Sequence, residues 1–345
     1  MLKELIAIAP GQAILRDYEE KPLAPGQVRI KSEISAEKHG TTLSFYKGLV
    51  PQMEKVLDPQ LELFLPSKGK TALFPFPLGN ITIGTVVEAG SDITQFKVGD
   101  RVWGYLPVRE THTVDEKRVN LIPSGLTDEE VLCIDPAVVA LMSVREGRFS
   151  LGDRIAVFGL GAIGLLTVQM AKLCGATFVI AVEPVEERRK LAEKYGADLT
   201  IDPDTGDTGL NVKLATDRKG VDVSIEVSGS YKALHESIRA TRYGGTIVPT
   251  SFYHGEAEEL NLGEEWHLNR QVMVSGARVE SEPYRDYPRW DRTRVYNTVI
   301  ELFLLKKLSV EGFLHIVDFE DVLEAYQTLE KEPNKWIKLG VRYGR

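Results

Sequence analysis

The chain reads as an α/β protein in two parts: a β-rich first part, then a doubly wound, six-stranded parallel sheet. Three observations predict this. From residue 153 onward, short apolar strands alternate with helical runs, the order of a parallel sheet with crossover helices. The run Val157-Phe158-Gly159-Leu160-Gly161-Ala162-Ile163-Gly164 sets a G-x-G-x-x-G turn between one of those strands and the next helix. Before it, about 125 residues carry strand-like stretches punctuated by turn residues such as Ala24-Pro25-Gly26 and Val98-Gly99-Asp100.

Taken in order, the expected strands of the first part are 2–8, 12–17, 27–34, 81–89 and 101–105. Asp135-Pro136 then opens an apolar helical run to about residue 144, read as a connecting helix. Strands of the second part are expected near 155–159, 178–183, 199–202, 223–227, 246–250 and 272–275. Gly175 and Gly196 fall where helix C-terminal glycines belong. Two further helical runs, 295–307 and 319–331, precede a last strand at 337–343 that returns to the first part.

Composition excludes several classes of function. The 345 residues are 43% hydrophobic and 27% charged, an ordinary globular balance and enough chain for two cores. A net charge of −8 without a dense basic block argues against nucleic acid as a partner. The opening Met1-Leu2-Lys3-Glu4-Leu5 lacks the apolar core of a secretory leader, and no stretch suits a bilayer, so cytoplasm is the expected compartment. Cys133 and Cys174 are too few for a disulfide framework or a four-cysteine zinc lobe.

The glycine turn has a defined use. Gly159 permits the tight turn, Gly161 lets backbone approach a pyrophosphate, and Gly164 lets helix and strand pack closely. The helix beginning at Ala162 and Ile163 offers N–H donors to phosphate. Glu183 ends the next strand, where a carboxylate accepts hydrogen bonds from the adenosine ribose and repels a 2′-phosphate; this favours NAD over NADP. Arg188 and Arg189 leave three alternatives open: holding a 2′-phosphate, flanking the adenine, or forming a solvated face with Glu186, Glu187 and Lys190. Ser228, Gly229, Thr250, Ser251 and Phe252 fall at carboxyl ends of later strands and are candidates for the nicotinamide end.

These motifs occur with Pro25-Gly26-Gln27-Val28, Gly40-Thr41-Thr42, Tyr46-Lys47-Gly48, Gly84-Thr85-Val86-Val87-Glu88-Ala89-Gly90, Val98-Gly99-Asp100-Arg101-Val102 and Gly244-Gly245. Together they resemble the medium-chain dehydrogenase/reductase superfamily over nearly the whole chain. The resemblance implies a GroES-like catalytic domain over 1–148, a Rossmann NAD-binding domain over 149–288, and a C-terminal segment, 289–345, returning to the catalytic domain. It also implies an active site in the cleft between domains, a small-molecule substrate, and a homodimer or homotetramer.

The chain departs from the zinc members of that family. His39-Gly40-Thr41-Thr42 stands where they carry Cys-Gly-Thr-Asp, Gly79-Asn80-Ile81 where they carry Gly-His-Glu, and Asp135-Pro136 where they often carry Glu-Pro. His39 and Asp135 could ligate a metal, but a neutral Asn80 amide is a poor substitute for imidazole. The loop that holds a structural zinc is missing after Val102. No zinc is therefore expected, as in a zinc-lacking branch of the family.

Hydride leaves an alcohol carbon only once the hydroxyl proton is gone, so without a metal a base with a pKa near 7 must take it. The resemblance makes His39 that acid/base, with Thr41 hydrogen-bonding the reacting oxygen and Asp135 fixing the imidazole tautomer. The bland alternatives are a structural hydrogen bond from His39 and a helix-capping role for Asp135. Ser44, Tyr46, Asn80, Trp103 and Tyr105 are candidate substrate contacts, packing being the alternative for the aromatics. His112, His235, His254, His267 and His315 show no mutual ligand spacing. Residues 281–292, rich in rings and charges, could line a cleft mouth or simply cross between domains.

The expected function is thus a zinc-independent, NAD-dependent oxidoreductase of secondary alcohols and ketones, sugar or polyol in type. Reduction of a quinone or enone is a second reading, since donors holding an enolate oxygen need no such base. A dinucleotide-binding protein without turnover is the third.

Overall fold

A computed structural model describes residues 1–67, 73–276 and 286–344. The chain forms two compact units, Met1–Leu132 with Phe313–Arg345, and Cys133–Gly312. Among the described residues no helix is long and apolar enough to cross a membrane.

The first unit is a β structure assembled from both ends of the chain. Its seven-stranded sheet runs Val119–Leu121, Arg101–Gly104, Ile81–Ala89, Gln27–Ala36, Lys338–Arg342 and Leu314–Asp318, with Thr111–Asp115 also paired to Gln27–Ala36. The tail strand lies antiparallel to Gln27–Ala36, with Gly340 opposite Ala36, and parallel to Leu314–Asp318. Strands Leu2–Ala9, Gln12–Tyr18 and Phe76–Pro77 make a second sheet. Val28, Ile30, Val86, Val102 and Val114 supply one core on the inward positions. A second core gathers Leu5, Leu43 and Tyr46 with Tyr326, Leu329 and Leu339 of the tail. The expected return of the C-terminal strand is thus observed. A hairpin of Lys55–Asp58 and Leu63–Pro66, not foreseen in the sequence, carries exposed Val56, Leu57, Phe64 and Leu65.

The second unit is the doubly wound sheet. Its six parallel strands lie in the order Leu199–Ile201, Phe178–Val182, Arg154–Phe158, Val221–Glu226, Thr241–Pro249 and Val272–Met273. Both faces of the central strands are covered, which is why Ile155, Val157, Val179 and Ile180 form nearly unbroken apolar runs. The connection order reverses between Arg154–Phe158 and Val221–Glu226, and ligands of such sheets bind at the carboxyl ends beside that reversal.

Two expectations about boundaries change. Helix Ile134–Glu146 belongs to the second unit rather than ending the first at residue 148, because it is buried along most of its length against helices Ala162–Leu173 and Arg292–Leu304. For the same reason the segment after residue 289 stays with the second unit as far as Gly312. Of the ring-rich stretch 281–292, residues 281–285 lie outside the described residues. Of the remainder, Asp286 pairs with Arg145 and the Arg145 guanidinium lies over the Trp290 ring at 3.6 Å, while Tyr287, Pro288, Arg289 and Arg292 are exposed.

Candidate functional site

The site in the second unit starts at the end of strand Arg154–Phe158. Gly159 has φ +92°, a conformation side chains rarely adopt, and its N–H donates to the Val182 carbonyl at 2.8 Å. A Cβ on Gly164 would lie 1.9 Å from the Gly159 carbonyl oxygen, so only glycine lets helix Ala162–Leu173 start this close to the strand. Gly161 caps that helix without a side-chain hydrogen bond, and a Cβ there would meet nothing within 4 Å. Ala162 and Ile163 thus begin a helix end with no acidic residue in its first turn and open space before it. That is the cradle an anion requires.

Glu183 closes the turn. It is 4% exposed, and its Oε2 accepts a hydrogen bond from the Leu160 N–H at 2.7 Å. Its Oε1 accepts from the Val185 N–H at 3.2 Å and lies 3.9 Å from Arg188. Each carboxylate oxygen has two lone pairs, so capacity remains for a ribose hydroxyl. The Arg188 side chain is largely buried, and burial lowers its pKa while Glu183 raises it. Arg189 donates to the carbonyls of Glu183 and Pro184 and pairs with Asp202 at 3.1 Å. Of the three alternatives for these arginines, the solvated face is the one the structure removes; the exposed pair of this helix is Glu186–Lys190.

The neighbouring strand ends converge on a residue the sequence reading missed. Glu226, 0% exposed, ends strand Val221–Glu226. It accepts hydrogen bonds from the Ser228 N–H at 2.7 Å, the Ser228 hydroxyl, the Gly229 N–H at 3.2 Å and the Tyr253 hydroxyl. Burial raises its carboxyl above the ordinary range, and these donors pull it back. Thr250 donates its N–H to the Glu226 carbonyl at 2.8 Å, and its hydroxyl meets that of Ser143 at 2.9 Å. Ser251 and the Phe252 carbonyl pack against Gly229, and Phe252 is 36% exposed. The candidates Ser228, Gly229, Thr250, Ser251 and Phe252 are therefore brought together, on a carboxylate. A signal was available: an acid at the carboxyl end of an inner strand of a sheet covered on both faces is buried, and a buried acid needs partners.

In the first unit, His39 opens helix His39–Tyr46, immediately after the sheet strand ending at Ala36; its side chain lies outside the described part. Thr41 is half-buried on that helix. Ser44 donates its hydroxyl back to the Gly40 carbonyl at 2.8 Å. Tyr46 is a core side chain, edge-on to Tyr326 at 5.7 Å, so it takes the packing role rather than that of a pocket wall. Burial beside Glu330 pushes its hydroxyl up to about 12. The Asn80 N–H donates to the Ala36 carbonyl at 3.1 Å, and its buried Nδ2 has no partner. Trp103 is buried edge-on to half-buried Tyr105 at 6.3 Å, and its Nε1 also lacks a partner. Glu37, buried two residues before His39, was not foreseen; Lys338 donates to its carbonyl at 2.6 Å.

Asp135, in the second unit, is buried in the first turn of helix Ile134–Glu146. The N-terminal capping position falls on Cys133, so the helix begins too early for Asp135 to be its cap.

Two family descriptions match the chain: the alcohol dehydrogenase GroES-like domain over residues 24–164 and zinc-binding dehydrogenase over 162–290. D-guloside 3-dehydrogenase of Escherichia coli (strain K12) is 36% identical over 351 residues, covering 99% of this chain and 100% of that protein. The chain belongs to the medium-chain dehydrogenase/reductase superfamily. A second relative in the superfamily, (R,R)-butanediol dehydrogenase of Bacillus subtilis (strain 168), is 32% identical over 71% of this chain and 75% of its own length. The crystal structure of 2R,3R-butanediol dehydrogenase from Bacillus subtilis superposes with a TM-score of 0.76 over 99% of both chains at 26% identity. As a medium-chain dehydrogenase/reductase the chain is an oxidoreductase of a dinucleotide-dependent family.

Among the described residues no group of three or more His, Cys, Asp or Glu could hold a metal ion. At the middle position of the expected set, Asn80 offers a neutral amide whose Nδ2 is buried without a partner.

Proposed function

We propose that this protein transfers hydride between NAD(H) and a secondary alcohol or ketone of sugar or polyol type, with side chains rather than zinc handling the proton. The observation that carries the NAD reading is the Glu183 carboxylate, buried at the end of the second strand and bonded to the N–H of Leu160 within the glycine turn. A fixed negative charge there accepts ribose hydroxyls and disfavours a 2′-phosphate. The substrate class follows the relatives, named for a guloside and for a butanediol.

When bound, the nicotinamide supplies the hydride acceptor or donor. The chain's own residues do the rest. The turn at Gly159 and Gly161 and the helix start at Ala162 and Ile163 hold the pyrophosphate. Glu183, with Arg188 beside it, holds the adenosine end. Ser228, Gly229, Thr250, Ser251 and Phe252 hold the nicotinamide end.

His39 takes the hydroxyl proton during oxidation and returns it during reduction, Thr41 hydrogen-bonds the reacting oxygen, and Asp135 is the second titratable candidate. Asn80 Nδ2 and Trp103 Nε1 are buried donors without an acceptor among the described residues. Such groups suit a hydroxyl-bearing ligand, and Tyr105 stands beside Trp103. Ser44 and Tyr46 serve the helix and the core on the geometry above.

The test is turnover of a sugar and polyol panel with NAD and with NADP, before and after chelation, with metal analysis of the purified protein. NAD-linked oxidation that survives chelation is the expected result. Stoichiometric zinc, with activity lost on its removal, would overturn the metal-free half. NADH consumption by quinones or enones alone would replace the substrate class.

A further inference from the structure

Glu226 is unusual for the number of chain segments it ties together. Its carboxylate receives two donors from Ser228, one from Gly229 and one from Tyr253, so all its partners donate. Its backbone joins the flanking strands: the Val227 N–H donates to the Phe158 carbonyl at 2.9 Å, and the Thr250 N–H to its own carbonyl at 2.8 Å. A Cβ on Gly159 would lie 2.9 Å from Ser228 N, so the glycine turn packs directly on the Ser228 turn. Gly229 in turn packs on Ser251 and the Phe252 carbonyl. The ends of three adjacent parallel strands, Arg154–Phe158, Val221–Glu226 and Thr241–Pro249, thus meet around one side chain.

A buried carboxylate is a costly way to fix a loop, since a hydroxyl or amide would satisfy one or two donors without bringing a charge inside. What it provides is an acceptor-only group that accommodates several donors at once. Tyr253 ties the loop after strand Thr241–Pro249 to the turn after strand Val221–Glu226, and Tyr231 packs on it with ring centroids 5.2 Å apart. The segments held this way are the two that carry the nicotinamide-end candidates.

We propose that Glu226, acting through Tyr253 and Ser228, is a positioning residue for the nicotinamide half of the dinucleotide: it locks the 228–229 turn and the 250–253 loop into one preformed surface. The proposal rests on the dinucleotide reading above. It separates the two halves of the cofactor, because Glu183 and the helix start serve the adenosine and phosphate end, whereas Glu226 serves only the other.

That separation sets the experiment. NADH and ADP-ribose, which lacks the nicotinamide, are titrated into the full-length protein and into Glu226→Gln, with thermal unfolding in parallel. In Glu226→Gln the charge is lost and one of the two accepting oxygens becomes an NH2, which the Ser228 and Gly229 N–H groups cannot pair with and only a hydroxyl turned to accept can meet, so the common charged acceptor of turn and loop is gone. NADH affinity is expected to fall roughly 10-fold or more, from the loss of charge-assisted hydrogen bonds. ADP-ribose affinity stays within about twofold on the same scale. Tyr253→Phe, which removes one donor and leaves the carboxylate, is the milder variant should the first fail to fold; a several-fold loss confined to NADH is expected. Equal losses for both ligands, or none for either, would overturn the assignment and leave Glu226 a structural residue. Failure of the unaltered protein to bind either ligand would instead sink the dinucleotide reading itself.

Discussion

The Glu183 carboxylate accepts the N–H of Leu160 at 2.7 Å, joining the end of the second sheet strand to the middle of the glycine turn. On the proposed reading, cofactor choice and turn geometry both depend on this one side chain. Glu183→Gln keeps the shape and removes the charge. NADH affinity is expected to fall about 10-fold and the preference for NADH over NADPH to narrow, because nothing then repels a 2′-phosphate. Titration of both nucleotides by fluorescence checks this, and an unchanged preference would move the discrimination elsewhere, to Arg188 first.

Two glycines of the same turn are expected to fail in opposite ways. At Gly164 a methyl group would sit 1.9 Å from the Gly159 carbonyl oxygen, so Gly164→Ala should lower stability by about 2–4 kcal/mol. At Gly161 a methyl group meets nothing within 4 Å, so Gly161→Ala should leave denaturant midpoints unchanged while weakening NADH binding. Equal unfolding midpoints for the two variants would contradict this account of the turn.

His39→Ala is expected to reduce kcat by about 10²–10⁴, the usual worth of a general acid/base, with NADH affinity within twofold of the parent protein. The pH profile of kcat/KM should lose one limb at the same time. Asp135→Asn, made separately, tests the second titratable candidate. Near-normal turnover in His39→Ala would leave this histidine a structural hydrogen-bonding group.

His112 should give the fold a sensitivity to acid. It is 4% exposed, its Nε2 has no partner, and burial with Arg109 and Arg118 nearby pushes its pKa down to about 3. Because the folded value lies below the unfolded one, the unfolded chain takes up the proton first as pH falls. Stability is therefore lost as acidity increases between pH 6.5 and 3. Between pH 7 and pH 5 this group alone removes about 2 kcal/mol. His112→Phe should flatten the difference, measured as urea midpoints at both pH values. A variant with the same acid slope as the parent would assign that slope to other groups.

Much of the second unit was legible because its signals are local. A parallel strand covered on both faces must be apolar, and the glycines of the turn, with Gly175 and Gly196 after their helices, are demanded by backbone geometry within a few residues. What stayed hidden depends on partners distant in sequence. Glu226 looks like an interruption of a strand until Tyr253 is folded onto it. Asp135 reads as a helix cap beside Pro136, but tertiary packing begins that helix at Ile134. Tyr46, in a stretch that resembles a substrate-facing loop, is claimed by the core through Tyr326, nearly the whole chain away. The second unit's limits followed packing on helix Ile134–Glu146, which no linker composition announced.

The position of Lys338–Arg342 inside the seven-stranded sheet has a consequence for the order of events at the ribosome. The strand sits between Gln27–Ala36 and Leu314–Asp318, so Gln27–Ala36 lacks this neighbour until a segment far downstream of it has been made. The second unit, Cys133–Gly312, is contiguous and has no such dependence. The second unit can thus complete its sheet before Gln27–Ala36 meets its downstream neighbour, leaving that strand with an open edge in the meantime.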